Sequence, residues 1–557
     1  MTTSPADAAA ALAAGRWQAA IEAFAPLAAA GDPSAQEGMA QAAWWLDDAD
    51  VAIGARQAAY RGFRAAGDDR GAARVAATLG YDTLLFGGGV AVARGWLARA
   101  ADLLDGRIDV AEAGWLAVRR AEVALAVDHD AEEALRAAAQ AGTIGREVGD
   151  EDLASVGRAL TGLSRVRLGQ VGAGVAELDA AVGAATAGDV TDLMWAGKIC
   201  CWLITACQET GDFARAGEWC ARVAHLSEER DLAPLSAVCR TQYAAVLLAR
   251  GDCAEAESAL ADVLTELEHS RRVGRLDAVA HLGELRRRQG RRAEAESLLR
   301  QVGFHPVALC GLALSRLAEG DTARAQTVVS ELLRALRPGQ LERAGVLAVA
   351  VRVAVSSGQH ARARAAADEL RGMAVTVGAE AFLARAAVAE ALLAGHRDAA
   401  VDAAGDTAED AVGLWQDAAR HFRAAGLPFD EAECRVELAE LLDRQGDPAA
   451  GEQAAAALDL LLPSLQGAPV AVRAEAILHG DNADNADNAD DGPLTARQID
   501  VLRLLADGLS NAQIAAALHL SEHTVHRHVS NIYAALGLTS RAAAATYAVR
   551  RGLTREA

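Results

Sequence analysis

The chain has 557 residues, 52% of them apolar and 4% aromatic, and 54 basic against 76 acidic side chains give a formal charge of −22. That length excludes a single core and implies several packed units. The alanine-rich, aromatic-poor composition disfavours β-sandwiches and favours helices, and the acidic balance excludes most of the surface from binding a polyanion.

The charge is unevenly spread. Residues 1–480 hold 47 basic and 67 acidic residues, and residues 481–492 add five aspartates. Residues 494–557 reverse the sign, with seven arginines against Asp500, Asp507, Glu522 and Glu556. Only that C-terminal piece has the polarity nucleic acid attracts. The longest apolar run, 193–207, is too short for a membrane span and contains Lys198, the single lysine. The opening MTTSPADAAAALAAG lacks the basic segment of a signal peptide. A cytoplasmic location, no membrane partner and reduced cysteines are therefore expected.

From the N-terminus a short pattern recurs: a glycine, then a small residue five positions on, in an amphipathic alanine-rich frame. It starts at Gly15, Gly67, Gly211, Gly251, Gly290, Gly320, Gly358 and Gly395, with a weaker copy at Gly446. Glycine ends one helix in a left-handed conformation. An aspartate often follows (Asp212, Asp252, Asp321, Asp447) and can cap the next helix. The small residue lets two helices approach closely, and the resulting pairs must stack to bury their apolar faces. Gly15, Trp17, Ala20, Phe24 and Pro33, and again Gly211, Phe213 and Ala216, resemble the tetratricopeptide repeat. From Gly211 onward the copies lie 40, 39, 30, 38, 37 and 51 residues apart, whereas a regular repeat gives about 34. An irregular helical-repeat solenoid over residues 1–475 is predicted.

Eight of the nine tryptophans fall at or before Trp219. They serve either packing between large helices or a pocket for a small-molecule or protein ligand. Six cysteines cluster between Cys200 and Cys253. None forms a C-x-x-C pair, so small buried core residues are the reading preferred over redox or metal sensing. A phosphate-binding loop is missing, because Lys198 is followed by isoleucine and preceded by Asp192 where glycine would stand. With no H-E-x-x-H and no G-x-S-x-G either, neither an enzyme nor a cofactor is expected.

Residues 476–492 read as an acidic linker. Its core, DNADNADNADDG from Asp481 to Gly492, is polar, self-repelling and without an apolar face.

Residues 493–557 form the last predicted domain. Thr495-x-x-Gln498 and Ser510-x-x-Gln513 are capping boxes, and Ser521 and Ser540 are further N-caps. Helices are predicted over 496–506, 511–518, 522–536 and 540–551. The third contains His523, His526 and His528. At about 100° per residue, Val525, Val529, Ile532 and Leu536 share one face. His523, Arg527 and Ser530 lie opposite, His526 flanks them, and His528 sits beside the apolar face. His526 and His528 are about 200° apart, so one helix cannot aim both at one metal. An exposed basic face with small residues, after a tight turn, fits a major groove.

This segment resembles the LuxR-type helix-turn-helix family over nearly all of 494–553. The match runs through Leu494-Thr495, Gly508-Leu509-Ser510-Asn511, Ile514-Ala515, Thr524-Val525, His528-Val529, Ile532 and Ser540-Arg541. The resemblance implies a third helix that reads double-stranded DNA in the major groove, and a homodimer formed through the fourth. It places His526, Arg527 and Ser530 at base edges and Thr524 at a phosphate, with Arg541 a further phosphate partner and His523 on the same side. His526 stands where relatives commonly carry lysine, Gln498 and Gln513 replace glutamates, and Ala535 replaces a basic residue. The expectation is an all-α, sequence-specific DNA-binding transcriptional regulator whose repeat body senses a ligand or protein. The alternative is a repeat scaffold for protein–protein binding with secondary DNA contact.

Overall fold

A computed structural model describes residues 4–230, 233–398, 406–461, 465, 467–480, 496–518, 525–526, 528–529, 532–533, 536, 538, 540–550 and 553. Among these, the regular elements are all helices, and none is long and apolar enough to cross a membrane. The chain divides into two compact units, residues 1–427 and 428–557.

The first unit is built from stacked antiparallel helix pairs. Its turns follow the glycine pattern: seven of its eight predicted glycines, and Gly446 in the second unit, have φ between +68° and +85°. At Gly211, with φ +83°, the chain leaves the helix Leu193–Thr210 and enters Phe213–Arg230. A β-carbon would be strained there. The residue five positions on is alanine in eight copies; Ala400 lies outside the described residues, and the other seven (Ala20, Ala72, Ala216, Ala256, Ala295, Ala325, Ala363) are fully buried. Three of the four aspartates cap as expected, with Oδ1 of Asp212, Asp321 and Asp447 accepting from Arg215, Arg324 and Ala449 amides at 3.2, 3.0 and 2.9 Å. Two expectations are corrected. Asp252 makes no capping bond. Gly395 lies inside the continuous helix Glu380–Asp398, because flanking alanines and leucines carry the helix through it.

Alternate helices form an inner layer. Asp69–Leu85, Ala111–Ala126, Glu151–Arg167, Leu193–Thr210 and Ala233–Arg250 each touch the next, and the series continues through Gly274–Arg288, Pro306–Ala318 and Arg343–Ser356 to Glu380–Asp398. The intervening helices pack mainly on their neighbours in sequence. The largest apolar cluster runs through this layer from Trp45 to Leu393.

The unit also folds back on itself, which a simple solenoid does not do. Arg272 is 8% exposed and donates to Asp47 Oδ1 at 2.8 Å and to the Trp44 carbonyl. The Val273 amide donates to the Leu85 carbonyl at 2.8 Å. Arg167 sits between Glu209 and Glu342 at 2.8 and 2.7 Å, and His129 Nδ1 lies 3.0 Å from Glu342. Burial alone would lower the Arg167 pKa, but the two carboxylates overrule it and raise it.

The second unit opens with three mutually packed helices, Pro428–Arg444, Ala449–Leu460 and Pro469–Gly480. The last of these spans the expected junction at 475–476. Residues 481–495, which include the aspartate-rich stretch, lie outside the described residues.

Candidate nucleic-acid interface

The C-terminal helices are placed by local signals. Ser510 and Gln513 close a reciprocal box: the Ser510 amide donates to Gln513 Oε1 at 2.8 Å, and the Gln513 amide donates to Ser510 Oγ at 3.3 Å. Two otherwise orphan donors are satisfied, which starts the helix Asn511–Leu518. Gly508, with φ +85°, makes the sharp turn from Ala496–Ala506 into it. Ser540 Oγ accepts from the Ala543 amide at 3.2 Å and opens Arg541–Arg550. These boundaries match the predicted spans within one residue for the described helices.

A small core joins the elements. Val501, Leu502, Leu505, Ile514, Ala515, Val525, Val529, Ile532, Ala544 and Ala548 are buried together, with Leu536 partly buried against them. The predicted apolar face of the third helix is therefore the buried one. His526 is exposed and His528 is half-buried, so these two histidines divide as helix geometry requires.

Of the expected DNA contacts, the structure describes His526 and Arg541. His523, Thr524, Arg527 and Ser530 lie outside the described residues. Arg541 has a role that the sequence reading missed. It is half-buried, and its guanidinium donates to Asn511 Oδ1 at 3.1 Å and to the Leu509 carbonyl. It ties the start of the last helix to the turn before Asn511–Leu518. Nothing in the sequence spacing of Asn511 and Arg541, 30 residues apart, signals that they touch.

The cysteine cluster resolves into packing. Burial pushes the thiols of Cys200, Cys207 and Cys220 up to about 12, so they stay protonated at neutral pH. Cys201 Sγ and Cys239 Sγ are 3.7 Å apart. Among the described residues, no group of three or more His, Cys, Asp or Glu side chains is placed to hold a metal ion.

Residues 492–548 match the family described as bacterial regulatory proteins, luxR family. The transcriptional regulatory protein YhcZ of Bacillus subtilis is 51% identical over 63 residues, covering 11% of this chain and 29% of that protein. The nitrate/nitrite response regulator protein NarP of Escherichia coli is 53% identical over 51 residues, covering 9% of this chain and 24% of that protein. The chain thus spans less than a third of the length of these curated relatives. The crystal structure of the APC/C hetero-tetramer Cut9-Hcn1 overlaps 84% of this chain and 95% of its own, with 13% identity and a TM-score of 0.44. The capping box, the glycine turn, the buried face of the third helix and the sequence match converge on one statement: the C-terminal segment of this chain is a helix-turn-helix domain of the bacterial luxR regulatory family.

Proposed function

We propose that the protein is a sequence-specific transcriptional regulator. Residues 493–557 bind double-stranded DNA through the major groove as a homodimer, and the helical-repeat body, residues 1–475, senses a small molecule or protein that controls this binding. Residues 476–492 tether the two. The observation that carries the reading is the sidedness of the third helix, with Val525, Val529 and Ile532 buried and His526 exposed. Arg527 is the leading candidate for reading a guanine, because its planar fork pairs with both acceptors on the base edge. Thr524 and Arg541 position the helix on phosphates, and His526, Ser530 and His523 complete the surface.

The test is chromatin capture of the full chain. Discrete sites are expected, and Arg527→Ala should weaken binding to them in vitro by about 10- to 100-fold. Unchanged sites and affinity, with the helical content of the variant intact, would remove Arg527 from base reading. Capture without any site enrichment would favour the protein–protein scaffold instead.

A further inference from the structure

The inner layer of the first unit holds a cleft of about 320 Å³, at the small end of the roughly 300–1,000 Å³ typical of ligand sites. Four indoles line it: Trp44, Trp45, Trp115 and Trp195. Trp115 and Trp195 stack at 4.9 Å, and Trp44 meets Trp45 edge to face at 5.1 Å. These rings are held in place. Trp45 also stacks on Trp17 at 5.0 Å, and Trp115 Nε1 donates to Asp150 at 3.0 Å. Trp44 and Trp115 are only half-buried.

Charge around the cleft is almost, but not fully, balanced. Arg56 pairs with Asp82 at 2.5 Å and Arg74 with Glu37 at 2.6 Å. Arg119 pairs with Glu122 at 2.7 Å, and Lys198 binds the other oxygen of that same carboxylate. Asp152 and Asp192 also line the cleft. Asp152 accepts from the Thr191 amide and hydroxyl at 2.7 and 2.9 Å and from the Asp192 amide at 3.1 Å. Asp192 Oδ1 accepts from the Met194 amide at 2.8 Å. Among the described residues neither forms an ion pair. Five carboxylates therefore face four cations, which leaves one negative charge in excess. The aromatic faces here already hold cations: the Arg119 guanidinium lies 4.6 Å from the Trp195 ring and 4.4 Å from Tyr81, the geometry of a cation–π contact.

We propose that this cleft binds a small planar aromatic compound carrying a single positive charge, with its ring against the tryptophans and its cationic group at Asp152 and Asp192. The proposal rests on the reading of the body as the sensing part, and it names the ligand class. A neutral ring would leave the surplus carboxylate without a counter-charge. An anionic one would meet Asp152 and Asp192 with repulsion, and the three arginines are already paired.

The experiment uses three probes that share one ring on the full chain: 1-naphthylmethylammonium, the neutral 1-naphthylmethanol and the anionic 1-naphthoate. Saturable quenching of tryptophan fluorescence reports binding. The ammonium is expected to bind at least about 10-fold more tightly than the alcohol, with naphthoate weaker still. Asp152→Asn should erase most of that preference while leaving the alcohol's affinity within about twofold, and Trp115→Leu should weaken all three. If the Asn variant loses helical content, the charge series on the unaltered chain decides alone. Equal affinity for the three probes, no saturable quenching by the ammonium, or a charge preference untouched in a folded Asp152→Asn chain would each overturn the assignment. DNA binding is measured separately, so a cleft that fails leaves the DNA-binding reading standing, and the reverse also holds.

Discussion

Replacing Asp82 by alanine strands the Arg56 guanidinium inside the body. The pair is tight, with Nε 2.5 Å from Oδ2 and side-chain exposures of 9% and 2%. An exposed pair contributes about 0–1 kcal/mol, whereas removing one partner of a buried pair costs about 3–5 kcal/mol, because the remaining charge is left without a counter-ion. Arg56 borders the cleft, where water can reach part of it, so the lower end, about 3 kcal/mol, is expected. The assay is urea unfolding followed by tryptophan fluorescence. Eight of the nine tryptophans precede residue 220, so the signal reports the part that contains the pair. With a slope of about 2 kcal/mol/M, the midpoint should fall by about 1.5 M. The double variant Arg56→Met/Asp82→Leu, which removes both charges and keeps volume, should return to within about 1 kcal/mol of the parent. An Asp82→Ala shift below about 0.3 M would refute the reasoning, since the pair would then count for no more than a surface contact. A double variant as unstable as the single one would show that shape, not stranded charge, sets the cost.

A β-carbon on Gly157 would lie 2.4 Å from the Gly142 amide nitrogen, whereas one on Gly172 meets nothing within 4 Å; Gly157→Ala should therefore lower the melting temperature, and Gly172→Ala should stabilise by about 0.5–1 kcal/mol. Burial, helped by the neighbouring His305, depresses the His281 pKa from 6.5 to about 4. The unfolded chain then binds the proton more readily, so this contribution is present above about pH 6.5 and is lost as pH falls towards 4, at most about 3 kcal/mol. Amide protection factors in the helix Gly274–Arg288, which correct for the intrinsic pH dependence of exchange, should fall over that window and stay level in His281→Leu; a pH dependence unchanged by the substitution would exclude the histidine as its source.

Local structure was legible where one residue type answers one backbone need. The glycines ahead of Ala20, Ala216 and Ala325 announced their turns, and those alanines are fully buried. Ser510 and Gln513 announced a helix start that their two hydrogen bonds confirm. Gly395 misled because its context imitates a turn, while the surrounding helix formers outweigh one glycine. Turns at Gly31 and Gly188, both with positive φ, are hidden because Gln36 and Leu193 stand where the pattern requires a small residue, whereas Gly149, also with positive φ, has Ala154 at that offset and was missed although it fits. The return of the chain upon itself was invisible. No periodicity encodes Arg272 meeting Asp47, a contact 225 residues apart in sequence. The charge surplus at the cleft was equally hidden, since it depends on which carboxylates lack a partner in space.

The position of Arg167 has a consequence for synthesis. Its two carboxylates reach the ribosome exit at different times, Glu209 early and Glu342 much later. At about 5–20 residues per second, Glu342 emerges roughly 10–35 s after Arg167. From the emergence of Glu209 until that of Glu342 the guanidinium has half its counter-charge, and the helix Glu151–Arg167 cannot reach its final burial. The N-terminal half of the body therefore matures on the schedule of a segment made long after it. A nascent chain stalled before residue 342 would present this unfinished seam to chaperones and proteases, whichever arrives first.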